Sequence, residues 1–262
     1  MKIVLIGSGN VATHLGKALM LHGHEIAQVY SRSLGHAQDL CGLLADGKPE
    51  AIDRLEDLNT GADLYFICVS DRAIAPVLAA LPTHLRGIVV HTSGSTPMEV
   101  LGAYAGAHGV FYPVQTFSKA KEVDFKEIPL ALEASDPATF AVLEGLATQL
   151  SNRYFPCDST QRQAIHVAAI FACNFSNYLF SLGEQVLLKN GLDFDLIRPL
   201  IQETADKIQQ HSPSTVQTGP ASRGDMAIVE RHLEFLSRDS TADPRIKTLY
   251  ALMSSLIAGK PL

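Results

Sequence analysis

The sequence lacks the marks of several large functional classes. Charged residues make up only 18% of the chain, and the acidic ones are in excess, with a formal net charge of −6. No basic stretch is long enough to offset this, which argues against nucleic acid or an anionic membrane surface as a partner. Cysteine is scarce: Cys41, Cys68, Cys157 and Cys173 form no C-x-x-C pair and have no zinc-ligand spacing. All four lie in apolar surroundings, so they read as small core residues in a reducing compartment, with no disulfide framework and no metal site. There is no long uncharged apolar run. The most apolar stretch, Ala164–Leu188, is interrupted by His166, Asn174, Asn177 and Glu184, and reads as a buried helix with no membrane role. The apolar residues Ile3–Ile6 stop at Gly7, too soon for a signal peptide. Internal repeats and low-complexity tracts are also missing. These exclusions leave a soluble, cytoplasmic-type protein of 262 residues, 47% of them hydrophobic, a length that suits two domains.

What is present divides into two halves. The first alternates short β-like runs with helical stretches, the pattern of an α/β, doubly wound and mostly parallel sheet. Strands are expected at Ile3–Ile6, Glu25–Tyr30, Asp63–Val69, Ile88–His91, Val110–Tyr112, Pro129–Leu132 and Tyr154–Phe155. Helices are expected at Asn10–His22, Leu34–Leu44 and Pro137–Leu150, the last capped by Asp136 with proline at its first position. After about Ser159 the strand-like runs end. Thr160–Asn190, Asp193–His211, Gly224–Ser237 and Pro244–Ala258 show helical periodicity instead. The boundary is therefore expected near Cys157, giving a Rossmann-type domain over residues 1–157 and an all-α domain over 158–262.

The segment Ile3-Val-Leu-Ile-Gly7-Ser8-Gly9-Asn10-Val11-Ala12 has strand, tight turn and helix start in the order a dinucleotide-binding site requires. Gly7 permits the turn, Gly9 leaves room for a pyrophosphate, and Ala12 keeps the helix close to the strand. The N–H groups of residues 8–11 then meet the phosphates. NAD sites usually place Asp or Glu at the end of the second strand. Here that position reads Tyr30-Ser31-Arg32-Ser33, with no acid before Asp39. Arg32, helped by the hydroxyls of Ser31 and Ser33, can pair with a 2′-phosphate, which favours NADP. Val69, Ser70 and Asp71 come after the next strong strand and are expected to face the same cofactor, with Ser70 or Asp71 capping a helix.

Ligands of open α/β sheets lie beyond the carboxyl ends of the strands. This points to Ser93 and Gly94 after one strand and to Gln115 and Thr116 after the next, although turn chemistry accounts for such residues equally well. On the first long helix of the second half, His166, Ile170, Cys173 and Asn177 share a face at about 100° per residue, with Asn174 beside it. His166 and Asn177 are candidates for catalysis and Asn174 for substrate contact; a hydrogen-bonded core histidine is the alternative. Arg223 could hold an acidic substrate group and Asp225 stands with it, or Asp225 simply caps the next helix.

The motifs Gly7-Ser-Gly9-Asn-Val-Ala12, His91-Thr-Ser93-Gly94, Tyr112-Pro-Val-Gln115-Thr116-Phe117, the His166–Asn177 helix, and Thr218-Gly-Pro220 with Arg223-Gly-Asp225 span nearly the whole chain. Through them it resembles the 6-phosphogluconate dehydrogenase-like superfamily of NAD(P)-dependent reductases. It is most similar to a family of Rossmann-like NADP oxidoreductases without a settled substrate, and more distantly to pyrroline-5-carboxylate reductase and ketopantoate reductase. The resemblance implies the two-domain fold and a nicotinamide cofactor. It does not carry over a reaction, because the lysine that serves β-hydroxyacid dehydrogenases on this helix is missing: no lysine occurs between Lys126 and Lys189. The expected function is NADP(H)-dependent oxidoreduction of a small anionic carbonyl, imine or hydroxyacid, the alternative being an NADP(H) sensor without turnover. A homodimer through the helical domain is expected from the apolar circumference of Ala164–Leu188.

Overall fold

A computed structural model describes residues 1–44, 47, 49–238 and 243–259. The chain forms two compact units, Met1–Asn174 and Phe175–Leu262.

The first unit is built on an eight-stranded sheet: β1 (Lys2–Ile6), β2 (Glu25–Tyr30), β3 (Glu50–Ile52), β4 (Leu64–Ile67), β5 (Ile88–His91), β6 (His108–Pro113), β7 (Leu130–Ala134) and β8 (Tyr154–Pro156). Their spatial order is β3-β2-β1-β4-β5-β6-β7-β8. Helices α1 (Asn10–Leu21), α2 (Leu34–Leu43), α3 (Asp71–Ala79) and α4 (Pro137–Leu150) connect them. The central strands are apolar throughout because both faces are covered. Side chains alternate along each strand, so Ile3 and Leu5 join Leu15, Phe66 and Phe111 in one core layer. Val4 and Ile6 join Tyr65, Ile67 and Leu78 in the other. Chain order reverses between β1 and β4, which opens a crevice at their carboxyl ends.

Two features of the sheet go beyond the sequence reading. β3 has only three residues, too few for alternation to register. β7 pairs with β6 antiparallel, while every other pair is parallel. The β6–β7 connection contains a single 3₁₀ turn, Phe125–Glu127, and without a crossover helix the chain must return antiparallel.

Helix α5 (Ser159–Ala169) belongs to the first unit, so the compact units divide after Asn174 rather than near Cys157. Its start is fixed by a capping box between Asp158 and Gln161 and by a buried ion pair between Arg162 and Glu133 of β7. A π-helical turn, Ile170–Phe175, continues from it.

The second unit contains α6 (Ser176–Lys189), α7 (Arg198–Gln210), α8 (Met226–Ser237) and α9 (Pro244–Ile257). Gly191 ends α6 with φ +70°, as the αL stop requires. Asp193 caps a 3₁₀ turn before α7 rather than α7 itself.

The expectation of a buried helix at Ala164–Leu188 is not met within one chain. Val167, Phe171, Phe175, Tyr178 and Leu188 are 46–65% exposed. By length and composition alone the helical run Ser159–Lys189 could cross a membrane. Its first turns are instead committed to the sheet by the Arg162–Glu133 pair.

Candidate active site

The crevice at β1 and β4 holds the glycine turn from which the phosphate cradle is expected. Gly7 has φ +121°, and a Cβ there would lie 2.3 Å from the Cys68 carbonyl oxygen. Only glycine lets the end of β1 approach the end of β4 this closely. The Gly7 N–H donates to the Tyr30 carbonyl at 2.8 Å, fixing the turn against β2. Gly9 is the extended N-cap residue of α1, and no side chain caps the helix there. A Cβ on Gly9 would meet nothing within 4 Å. The first turn of α1 carries no acid, and Ala12 is fully buried against the sheet. Open space before a helix N-terminus with its N–H groups uncapped fits a pyrophosphate.

The groups expected around that cradle are differently occupied. Ser8 Oγ donates to Ser31 Oγ at 3.1 Å, which brings the end of β2 to the phosphate turn. Val11 is half-buried, while Arg32 and Ser33 are exposed. Asn10 turns its side-chain amide to the Phe117 carbonyl at 2.8 Å, so only its backbone remains for a phosphate. His14, one turn on, bonds the Ser118 carbonyl through Nε2 at 2.9 Å and stacks on Phe117. The β6–β7 loop is thereby fastened to the cofactor helix at two points. Ser70 takes the N-cap position of α3, with Val69 half-buried before it. Asp71 accepts a hydrogen bond from Ser95 Oγ, so this carboxylate belongs with the next group of residues.

That group lies toward the carboxyl ends of β4, β5 and β6: Ile67 pairs with His91 and His91 with Val110, and β6 runs on past both to Tyr112 and Pro113. Gly94 is roofed by two side chains. A Cβ on it would fall 2.8 Å from both His166 Nδ1 and Tyr112 Cζ, and 2.9 Å from the Tyr112 oxygen. Tyr112 Oη and His166 Nδ1 are 3.4 Å apart, with the rings edge to face. Burial, with the Asp71 charge adding to it, raises the Tyr112 hydroxyl above the usual phenol range, so it stays protonated. Ser93 accepts from the Ser95 and Thr96 N–H groups through Oγ and so shapes the turn that presents Gly94. His91 is fully buried. Its Nδ1 accepts from the Ser93 N–H at 3.2 Å, and its Nε2 has no partner of normal geometry. Burial, reinforced by the Arg162 charge, lowers its pKa to about 4.

The His166 prediction thus gains a location, and Tyr112, read from the sequence only as part of a strand end, gains a partner. Arg162 and Glu133 were missed. Arg162 is 1% exposed; it donates from Nε to the Ser93 carbonyl at 3.1 Å and from Nη2 to the Thr96 carbonyl at 2.6 Å, and its Nη1 pairs with Glu133. The available signal was the one formally charged residue of this helix, four positions before His166, since that spacing puts both on one face.

The other expected residues are described within their own units. Gln115 turns its Oε1 back to the Thr116 N–H at 2.8 Å, and both are exposed. The count that put Asn177 on the His166 face fails at the π turn Ile170–Phe175. The extra residue of that turn rotates all later positions by about 100° relative to an unbroken α-helix. Asn174 is exposed within it. Arg223 is exposed in the second unit, where Asp225 caps α8 by accepting from the Ile228 N–H.

Comparison with known proteins fits this arrangement. Residues 2–93 match the family described as NADP oxidoreductase coenzyme F420-dependent, and residues 128–257 match a domain of unknown function, DUF2520. Over 99% of this chain and 98% of the other, the sequence is 41% identical to the putative NADP oxidoreductase BF3122 of Bacteroides fragilis, with a TM-score of 0.87. The chain belongs to this NADP oxidoreductase family. Protein TM1727 of Thermotoga maritima is 26% identical over 98% of both chains, with a TM-score of 0.73. Pyrroline-5-carboxylate reductase of Streptococcus pyogenes shares the fold, with a TM-score of 0.62 at 16% identity over 99% of this chain and 98% of that one. No curated protein sequence matches significantly. This NADP oxidoreductase is therefore an enzyme with a Rossmann domain and a helical C-terminal region.

Proposed function

We propose that the enzyme uses NADP(H) to reduce a small carbonyl or imine compound, with His166 as the proton donor. The observation that carries this reading is the placement of His166 and Tyr112 over Gly94, on the sheet edge that also bears the Gly7–Gly9 turn. The open space at Gly9 and the uncapped start of α1 would hold the pyrophosphate, and Arg32 with Ser31 and Ser33 would hold the 2′-phosphate. When bound, the nicotinamide supplies the hydride.

The chain's own part is proton management. An imidazole can hold and hand over a proton through either ring nitrogen, which suits a general acid. As imidazolium, His166 gives a proton from Nε2 to the carbonyl oxygen or imine nitrogen while its Nδ1–H rests on the Tyr112 oxygen. Neutral His166 keeps the proton on Nδ1 and goes on donating to the Tyr112 oxygen, so Nε2 is left as the acceptor that takes up the next proton from water. The buried Gly94 shelf keeps the imidazole from turning away.

The test is NADPH consumption with a panel of 2-keto acids and cyclic imines, repeated with His166→Gln. A fall in kcat of about a hundredfold or more with KM little changed is expected. Equal kcat in parent and variant would remove His166 from proton transfer.

A second copy of the chain is part of this reading. The second unit has an apolar groove of about 520 Å³ lined by residues such as Leu182, Val186, Phe235, Leu249 and Met253, and Tyr178 and Leu188 of α6 are exposed as well. Apolar surface of this extent on a lone chain calls for a partner, and a homodimer through the helical unit supplies one. Sedimentation showing a monomer at micromolar concentration would overturn it.

A further inference from the structure

We infer that Arg162 is a positioning residue: its guanidinium, closed off from any ligand, determines where His166 stands. The inference rests on the proton-donor reading of His166 given above.

Arg162 is 1% exposed, and its donors face inward. Nε donates to the Ser93 carbonyl, Nη2 to the Thr96 carbonyl and to Ser159 Oγ, and Nη1 to Glu133. The two carbonyls lie on either side of Gly94, so one rigid plane grips both flanks of the turn. His166, one helical turn later on the same face of α5, closes over Gly94 itself. The same four-residue segment is therefore held twice by one helix, through its carbonyls and over its Cα.

Glu133 balances the buried charge and also accepts from the Ser159 N–H and hydroxyl at 3.0–3.1 Å. Ser159 Oγ in turn accepts from the Met98 N–H at 3.1 Å. Strand β7, the start of α5 and residues 93–98 thus form one hydrogen-bonded block.

Stability alone is a weak reason for such a pair, because well-packed apolar residues often serve a protein interior as well. A forked donor that fixes two carbonyls and a helix at defined angles is something apolar packing cannot supply, nor can the point charge of lysine.

The lysine variant therefore separates the two roles. Arg162→Lys keeps the charge opposite Glu133 but cannot span both carbonyls. Arg162→Met combined with Glu133→Met removes the pair without stranding a charge, in case the single variant folds poorly. Each is measured as the full chain for NADPH affinity by fluorescence, for the nuclear Overhauser contact between the Tyr112 and His166 rings, and for NADPH turnover with the 2-keto acid and cyclic imine panel.

For the variants that fold, NADPH affinity should stay within about twofold of the parent, since the cradle is formed by β1, β2 and α1. The ring contact should be lost, and kcat should fall about a hundredfold with little change in KM, as expected for a misplaced catalytic group. A preserved ring contact, or parental kcat in both variants, would overturn the inference. Failure of the parent to bind NADPH or turn over any compound would instead count against the functional reading, while the ring contact would still decide the role of Arg162.

Discussion

Gly9 and Gly94 lie on the same edge of one sheet, and they are glycines for opposite reasons. A Cβ on Gly9 would enter open space, whereas one on Gly94 would strike Tyr112 and His166. The first leaves room for something the chain does not provide. The second lets the chain's own groups close in. Substitution at the two sites should therefore separate cofactor binding from catalysis.

The largest effect is expected at the first site. Gly9→Val should weaken NADPH binding by about a thousandfold or more, because the side chain takes the space of the pyrophosphate. The fold should survive, with a loss of no more than about 1 kcal/mol from the poorer N-cap, so a normal thermal melt should accompany a flat fluorescence titration. Retained binding would place the dinucleotide elsewhere.

Gly94→Ala should show the reverse pattern. The added methyl forces His166 and Tyr112 apart, at a cost of about 1–3 kcal/mol in urea unfolding, and kcat should drop about a hundredfold. NADPH affinity should hold. Loss of affinity with normal kcat would reverse the roles assigned to the two glycines.

Acid sharpens the contrast, because the Gly94 side contains a buried histidine. His91 titrates at about 4 when folded, against an ordinary value of 6.5. At pH values above the ordinary one both states are neutral and its contribution is complete. Below it the unfolded chain takes up a proton that the folded one refuses, so stability falls as pH drops toward about 4, by about 3 kcal/mol over the whole range. Urea unfolding of parent and His91→Gln at about pH 7 and about pH 4.5 measures this, and the variant should lose less stability between the two. An equal loss in both would exclude His91 as the source.

The smallest effect is expected at the rim of the cradle. Arg32 is exposed, so Arg32→Ala should lower NADPH affinity only about tenfold, the scale of one charge-assisted hydrogen bond, and leave NADH affinity unchanged. Equal titrations of parent and variant would exclude it from the 2′-phosphate site.

The same contrast explains what the sequence disclosed. The cradle is local: strand, turn and helix start all lie within residues 2–12, and the role of each glycine comes from backbone sterics. Every strand except the three-residue β3 was legible for the same reason, as was the Asp136 cap of α4. The Gly94 side is assembled from residues 71, 91–96, 112, 133, 162 and 166, and no spacing rule joins them. Tyr112 looked like a strand end, and Glu133 was one acid among many. Helical counting from His166 reached Asn177 only by assuming regular turns, and a π turn leaves no mark in hydrophobic periodicity. The exposure of the long helix was equally hidden, since composition does not say whether an apolar face is covered by its own chain.

The clasp of Asn10 and His14 on Phe117 and Ser118 bears on how this enzyme can be re-engineered. A connection as long as the one between β6 and β7 would ordinarily be the first place to graft a peptide, a tag or a second domain. Here added residues between 113 and 118 would pull on the helix that carries the phosphate turn. Guests belong after the second fastening point, in the exposed residues 119–121, before Val123 packs back onto the core that α1 shares.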